Sequence, residues 1–294
     1  MTNRLTALTV TVALVAGASL HAVDVDQAQG GLVIGNDTAK DSYKSVHVGL
    51  VNKQIDQGWA RSEDATLQAG GTIRYWGLGL GAELAFAVGQ DRGAAELDDT
   101  DPTTYVSRPI KPGEFIQANV KLDYVLEIDG IYGENQPFLQ LIPHFEYVTY
   151  PNQTGNDLKD HQLWAGSDLW WSTPLEGVEL GGGVDWNFQG AGFRGAAGAR
   201  EFFQFAPYDL QFWQLANFGD QSYRSYFVET DSRGWTTSQV GAKILMPTAW
   251  REWWTTVKTD WTYWLKGDDQ DYRKAMGLDR GDFTFSVGLQ WIAE

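Results

Sequence analysis

Over stretches of about ten residues the chain alternates between apolar and polar at every step. From Ile116, one set runs Ile116, Ala118, Val120, Leu122, Tyr124, Leu126, and the interleaved set is Gln117, Asn119, Lys121, Asp123, Glu127. Near the end, Phe283, Phe285, Val287, Leu289 and Trp291 alternate with Thr284, Ser286, Gly288 and Gln290. Between Trp253 and Leu265 the apolar positions Trp253, Val257, Trp261, Tyr263 and Leu265 alternate with Thr256, Lys258, Asp260 and Thr262. Around Leu78 the apolar partners alternate with Gly79, Gly81 and Glu83. A repeat of two residues is that of a strand with one apolar face. These runs match the ~9–11 residues of a tilted transmembrane strand and exceed the ~5–6 typical of soluble ones.

Aromatic rings gather at the ends of the apolar faces: Tyr75, Tyr124, Tyr147, Trp171, Trp186, Trp253, Tyr263, Phe283 and Trp291. Rings so placed suit the two water–lipid boundaries of a membrane barrel, and these nine are the expected aromatic girdle. Connections differ in length as well. Short ones fall at Trp76-Gly77, 173–177 and 247–250, and a medium one at 129–136. Long polar ones fall at about 52–64, 89–113, 151–160 and 267–281. Short on one side and long on the other is the asymmetry of outer-membrane barrels, so each of these short turns is expected on the periplasmic side.

The pattern predicts strands near 43–51, 65–76, 78–89, 114–128, 138–150, 161–172, 178–189, 236–246, 251–266 and 282–292. Two more, at 201–216 and 222–231 with a turn at Asn217-Phe218-Gly219-Asp220, complete a closed antiparallel all-β transmembrane barrel of 12 strands over 43–294. The alternative takes Asp209 as a helix N-cap, Leu210–Asn217 as a short helix and 190–234 as a long inserted loop, leaving ten strands.

Ahead of the barrel, residues 1–22 have the layout of a secretory signal peptide. Arg4 precedes an apolar run from Leu8 to Ala18, and Leu20-His21-Ala22 offers a cleavage site. Residues 23–42 then form a periplasmic leader. The 294 residues include no cysteine, which excludes a disulfide scaffold and a zinc-thiolate site. A net charge of −16 argues against nucleic acid as a partner.

The final segment, Phe283-Thr284-Phe285-Ser286-Val287-Gly288-Leu289-Gln290-Trp291, resembles the C-terminal strand signal of Gram-negative outer-membrane β-barrels. It departs from that signal in carrying Ile292-Ala293-Glu294 after the aromatic. The stretches Gln57-Gly58-Trp59 and Leu67-Gln68-Ala69-Gly70 are faintly similar to a family of uncharacterised proteobacterial outer-membrane proteins. The resemblance implies an outer-membrane location, lipid as surroundings and the barrel-assembly machinery as a partner for the last strand.

On these registers Glu83, Asp123, Glu127, Glu146, Asp168, Glu179, Asp185 and Asp260 point inward with Arg74, Lys121, Lys243 and Lys258. An acidic lumen attracts cations, so the expected function is a narrow porin-like channel for small hydrophilic solutes, cationic or neutral. Inward glycines (Gly79, Gly81, Gly166, Gly181, Gly183, Gly241, Gly288) are expected to leave room. The competing reading is a closed structural or adhesive barrel. Its interior is filled by pairs such as Lys121/Asp123 and Lys258/Asp260, and its loops bind through Trp59, Tyr105, Tyr272 and 202–205. An outer-membrane hydrolase would draw on Ser45, His47, His144, Asp99, Asp101 or Asp160-His161, but no nucleophile or metalloprotease motif is present. The acidic loops 98–101 and 268–271 lack the spacing of a calcium loop, and no cofactor is expected.

Overall fold

The computed structural model describes residues 42–293, apart from 57–58, 63–64, 90, 99–100, 130–136, 151–160, 176, 223–232, 266, 268–269, 272–273 and 275–279. The signal-peptide and leader segments (1–22 and 23–41) therefore lie outside the described residues, as do most of the loops at 129–136, 151–160 and 267–281.

Twelve strands form the wall: β1 (Tyr43–Val51), β4 (Thr66–Tyr75), β5 (Leu78–Ala87), β8 (Phe115–Tyr124), β10 (Pro137–Thr149), β11 (His161–Ser172), β12 (Val178–Asn187), β13 (Gly192–Phe205), β14 (Tyr208–Gly219), β15 (Gly234–Pro247), β16 (Trp253–Trp264) and β17 (Gly281–Ala293). Each pairs antiparallel with the next, and β17 pairs with β1 to close the barrel. A short β9 (Leu126–Asp129) continues the line of β8 beside β10 after a break at Val125. The first long loop carries β2 (Gln54–Asp56) and β3 (Trp59–Ser62). The second carries β6 (Asp91–Asp98) and β7 (Asp101–Ile110), and these four make a small separate sheet. Closure satisfies every wall edge, the one condition under which a sheet can stand in lipid.

Gly192–Phe205 and Tyr208–Gly219 correct the expected strand at 201–216, and the expected strand at 222–231 lies, from 223 on, outside the described residues. The chain turns at Ala206-Pro207, and 217–220 closes β14 instead of turning between strands. Leu210–Asn217 is strand, so neither the short helix after Asp209 nor the ten-strand barrel holds. One further short turn is not assigned from the sequence. The connection between β12 and β13 is tight, and it lies at the long-loop end. There the Gly190 amide donates to Asn187 Oδ1 at 2.6 Å, and Ala191 takes a positive φ of 47°. The Trp76-Gly77 turn has φ of 49° and 82°, the two-residue geometry that matches strand twist.

Strand tilt shows in the registers. A single row of partners runs Ala293, Lys44, Ile73, Leu80, Leu122, Phe145, Ala165, Trp186, Phe193. It begins beside the short turns and ends beside the long loops. For strands 4.8 Å apart tilted by about 40°, each step along such a row rises ~3 Å, and 12 strands give a wall of roughly 12 Å radius.

Alternation then sorts the residues. Val46, Val48, Leu50, Leu67, Ile73, Leu80, Leu84, Val120, Leu122, Phe145, Leu169 and Val184 are exposed on the outer face. The inner face buries Arg74, Lys121, Asp123, His144, Asp168, Asp185, Arg194, Arg200 and Lys243. Apolar outside and polar inside inverts the order of a soluble sandwich. Among the described residues no helix is long and apolar enough to cross a membrane.

Candidate functional site: the barrel interior

All twelve charges expected to face the lumen point inward, and each is buried or half-buried. They do not act as independent lumen charges. Arg74 Nη2 meets Asp123 Oδ1 at 2.6 Å. Arg194 Nε donates to Asp185 Oδ2 at 3.0 Å and reaches Glu146 at 3.7 Å. Arg200 Nε contacts Glu179, and its Nη2 donates to Gln140 at 3.1 Å. His144 Nε2 lies 2.7 Å from Asp185 Oδ1, its Nδ1 is 3.2 Å from the Ile142 carbonyl, and Asp168 stands 3.7 Å away. Gln140 donates to Glu127 at 3.0 Å and Asn119 to Glu146 at 3.4 Å. Of the expected i,i+2 pairs, Lys258 and Asp260 meet at 3.4 Å. Asp123 instead takes the arginine two strands away.

Arg194 and Arg200 are the inward charges that sequence reasoning missed, and Asp282, which holds Lys53 at 2.9 Å, is a third. The arginines lie on β13, whose run GFRGAAGAREFFQF has small residues on both faces and so carries little alternation. Each guanidinium is stacked on a tryptophan, Arg194 over Trp164 at 3.9 Å and Arg200 over Trp170 at 4.1 Å. Indole faces attract such cations.

The inward glycines serve a purpose that the sequence did not reveal. Four rows read partner, glycine, partner: Arg74–Gly79–Asp123, His47–Gly70–Glu83, His144–Gly166–Asp185 and Trp213–Gly241–Asp260. In each, side chains from strands two apart meet across the glycine. A Cβ on Gly79 would sit 2.6 Å from Asp123 Oδ1 and 2.7 Å from Arg74 Nη2, and one on Gly70 would sit 2.7 Å from the His47 ring. A Cβ on Gly166 would meet Asp185 and His144, and one on Gly241 would meet the Trp213 indole, whose Nε1 donates to Asp260 at 3.0 Å. Gly183 similarly lies under Asp168, and Gly181 under Trp170. These glycines make room for bridging side chains, which corrects the expectation that they widen the lumen. Gly81, facing Thr72 Oγ1 at 3.2 Å, keeps a more open aspect.

At the short-turn end an apolar cluster stands beside the Arg74–Asp123 and Arg200–Glu179 pairs. Val125, Ile142, Trp170, Trp213 and Leu245 are buried in one cluster with Phe202, Trp254 and Ile292 packed against it. Ser45, Arg74, Gln211 and Gln290, at the same end on other strands, are buried too. Above this floor the wall formed by β16, β17, β1, β4 and β5 stays partly open to water. Its inward residues His47, Gly49, Gln68, Gly70, Gly81, Glu83, Thr256, Lys258, Thr284, Ser286 and Gly288 are half-buried.

On the outer face, Trp253 is the register partner of Trp291 at the short-turn end, and Tyr75, Tyr124 and Trp171 stand toward that end of their own strands. At the other, Trp261 is the partner of Phe283 and packs on Tyr263 at 6.2 Å. Phe193, Phe218 and Trp235 continue the rim at 6.0 and 5.5 Å, beside Trp186. Tyr147 lies 6.4 Å from the ring of His161. Of the hydrolase candidates, His144 has both ring nitrogens occupied in a buried site, and His161 is exposed on the outside. Asp99 and Asp160 lie outside the described residues, and the side chain of Asp101 is not described. The loop positions Asp268, Asp269 and Tyr272 are likewise outside them, and the side chains of Trp59, Tyr105 and Asp98 are not described.

No family model matches the sequence, and no curated relative does. Among solved structures, the KdgM porin is similar with a TM-score of 0.47 and 9% identity, over 84% of this chain and 98% of that one. An outer membrane channel from Pseudomonas putida F1 gives 0.42 and 12%, over 94% and 100%. The translocator domain of the autotransporter NalP from Neisseria meningitidis gives 0.41 and 11%, over 88% and 90%. Scores of this size carry no argument about function, so what the interior does is argued from its own residues.

Proposed function

We propose that the protein is an outer-membrane barrel that gives small hydrophilic solutes, neutral or cationic, a narrow diffusive route. The observation that carries this reading is the half-buried polar strip on β16, β17, β1, β4 and β5 inside an apolar exterior. A purely structural barrel has no need to keep one wall of its interior wet. Interior acids outnumber bases, but Arg194 and Arg200 reduce the excess, so the cation preference is weak. No residue performs a covalent step in this reading. The surroundings are outer-membrane lipid, the nine girdle aromatics sit at its boundaries, and Phe283–Trp291 is the strand presented to the assembly machinery.

Refolded protein without residues 1–22 should give discrete conductance steps in a planar bilayer. Its reversal potential in a KCl gradient should have the sign of mild cation preference, and anion preference would reject the assignment. The apolar floor favours a second reading, a closed barrel. Folded protein that never conducts would establish it.

A further inference from the structure

Exposure grades the inward ion pairs, with Arg194–Glu146 (5% and 10%) and Arg200–Glu179 (1% and 15%) between the extremes. In the pairs Arg74–Asp123, His144–Asp185 and Arg194–Asp185 every side chain is 5% exposed or less. Against these stand His47–Glu83, 3.5 Å apart with side chains 33% and 16% exposed, and Lys258–Asp260, 3.4 Å apart with 21% and 11%. The first set belongs to the wall and the second meets water.

The two accessible pairs share one depth. The row Glu83, Gly70, His47, Gln290, Trp254 links β5 to β16 in four steps. At ~3 Å of rise per step, Glu83 lies roughly 12 Å above Trp254, a height that about five residues of strand also span. That brings it level with Lys258 and Asp260. Four strands of twelve are a third of the circumference, which leaves a gap of roughly 10 Å between the side-chain tips. Gln68, Thr256 and Ser286 line the same strip with uncharged hydrogen-bonding groups.

We propose that His47, Glu83 and Lys258 form a solute-contact site in a polar cup floored by the apolar cluster. The cup takes small hydrophilic solutes of no net charge. Lys258 has Asp260 beside it and Glu83 has the His47 ring, so neither charge stands alone and hydrogen-bonding groups are well matched. The inference deepens the channel reading, on which it depends for passage but not for access.

Access is testable because the chain has no cysteine. Ser45 and His47 are neighbours on one inward face of β1, and the floor begins between them: Ser45 is buried and His47 is not. In folded protein, identified by its heat-modifiable gel mobility, His47→Cys, Glu83→Cys and Lys258→Cys should react with a charged, water-soluble thiol reagent. Ser45→Cys, a change of one atom, should react at least ~10-fold more slowly. Equal rates at Ser45→Cys and His47→Cys would overturn the cup while leaving an open channel intact. In bilayers, Glu83→Gln should lower and Lys258→Gln raise the cation-to-anion permeability ratio, each by about 2-fold, and Asp123→Asn and Asp185→Asn should leave it unchanged. A larger effect from the buried pair would overturn the assignment of the contact residues. Differential labelling together with silent bilayers would uphold the cup and reject the channel.

Discussion

A glycine between two charged neighbours is the smallest unit of this interior. Alternate strands lie roughly 10 Å apart, so side chains from them meet only if nothing rises between them. Glycine supplies that gap under Arg74–Asp123, His47–Glu83 and His144–Asp185. Gly166→Val should therefore displace the His144–Asp185 contact and lower stability by about 1–3 kcal/mol, as overpacking does. Arg194→Ala should cost more, about 3–5 kcal/mol, because Asp185 and Glu146 would be left buried without their cation. Gly81→Ala, whose Cβ meets one hydroxyl, should change stability by under ~1 kcal/mol. Urea unfolding from lipid vesicles ranks the three, and a Gly166→Val barrel as stable as Gly81→Ala would reject the bridging role. The sequence shows the glycines and the charges, but not that they share a row, because rows exist only once the strands are paired.

At the scale of elements, ten strands were legible because each has one mainly apolar face. β13 was not. Gly192, Ala196 and Gly198 face inward and Gly195, Ala197 and Ala199 outward, so neither face is apolar by contrast with the other. That slip carried the predicted turn from Ala206-Pro207 to Asn217–Asp220 and concealed two arginines. The floor was illegible for a related reason. Ile142, Leu245 and Trp213 occupy inward positions where a water-filled barrel would place polar residues, and only Trp213 has a cluster neighbour, Leu215, on its own strand. Trp213 is held over Gly241 by its bond to Asp260, and Trp254 packs against the same cluster. Replacing both by alanine should open the floor, turning small or intermittent conductance into a larger, steady one. An unchanged conductance would show that solutes pass elsewhere.

For the whole molecule, the membrane sets the scale. Trp253 and Tyr263 lie ten residues apart on the outer face of β16. At ~3.3 Å per residue and a tilt of about 40°, this places the two rings ~25 Å apart along the barrel axis, the height of an outer-membrane apolar band. Depth within that band can be read from position. Leu122 lies on the row that climbs from Ala293 to Phe193, well away from both ends, and Leu78 adjoins the Trp76-Gly77 turn. Both are exposed on the outer face. If the surrounding medium is lipid, Leu122→Lys should destabilise the barrel by about 2–4 kcal/mol and Leu78→Lys by no more than about 1 kcal/mol, because a lysine near the boundary reaches water. A soluble protein with the same outward leucines would tolerate both equally, since each already faces solvent. The difference between the two costs, measured by folding into vesicles, thus decides whether fat or water meets this surface. Equal and negligible costs would remove the membrane, and with it any route across one.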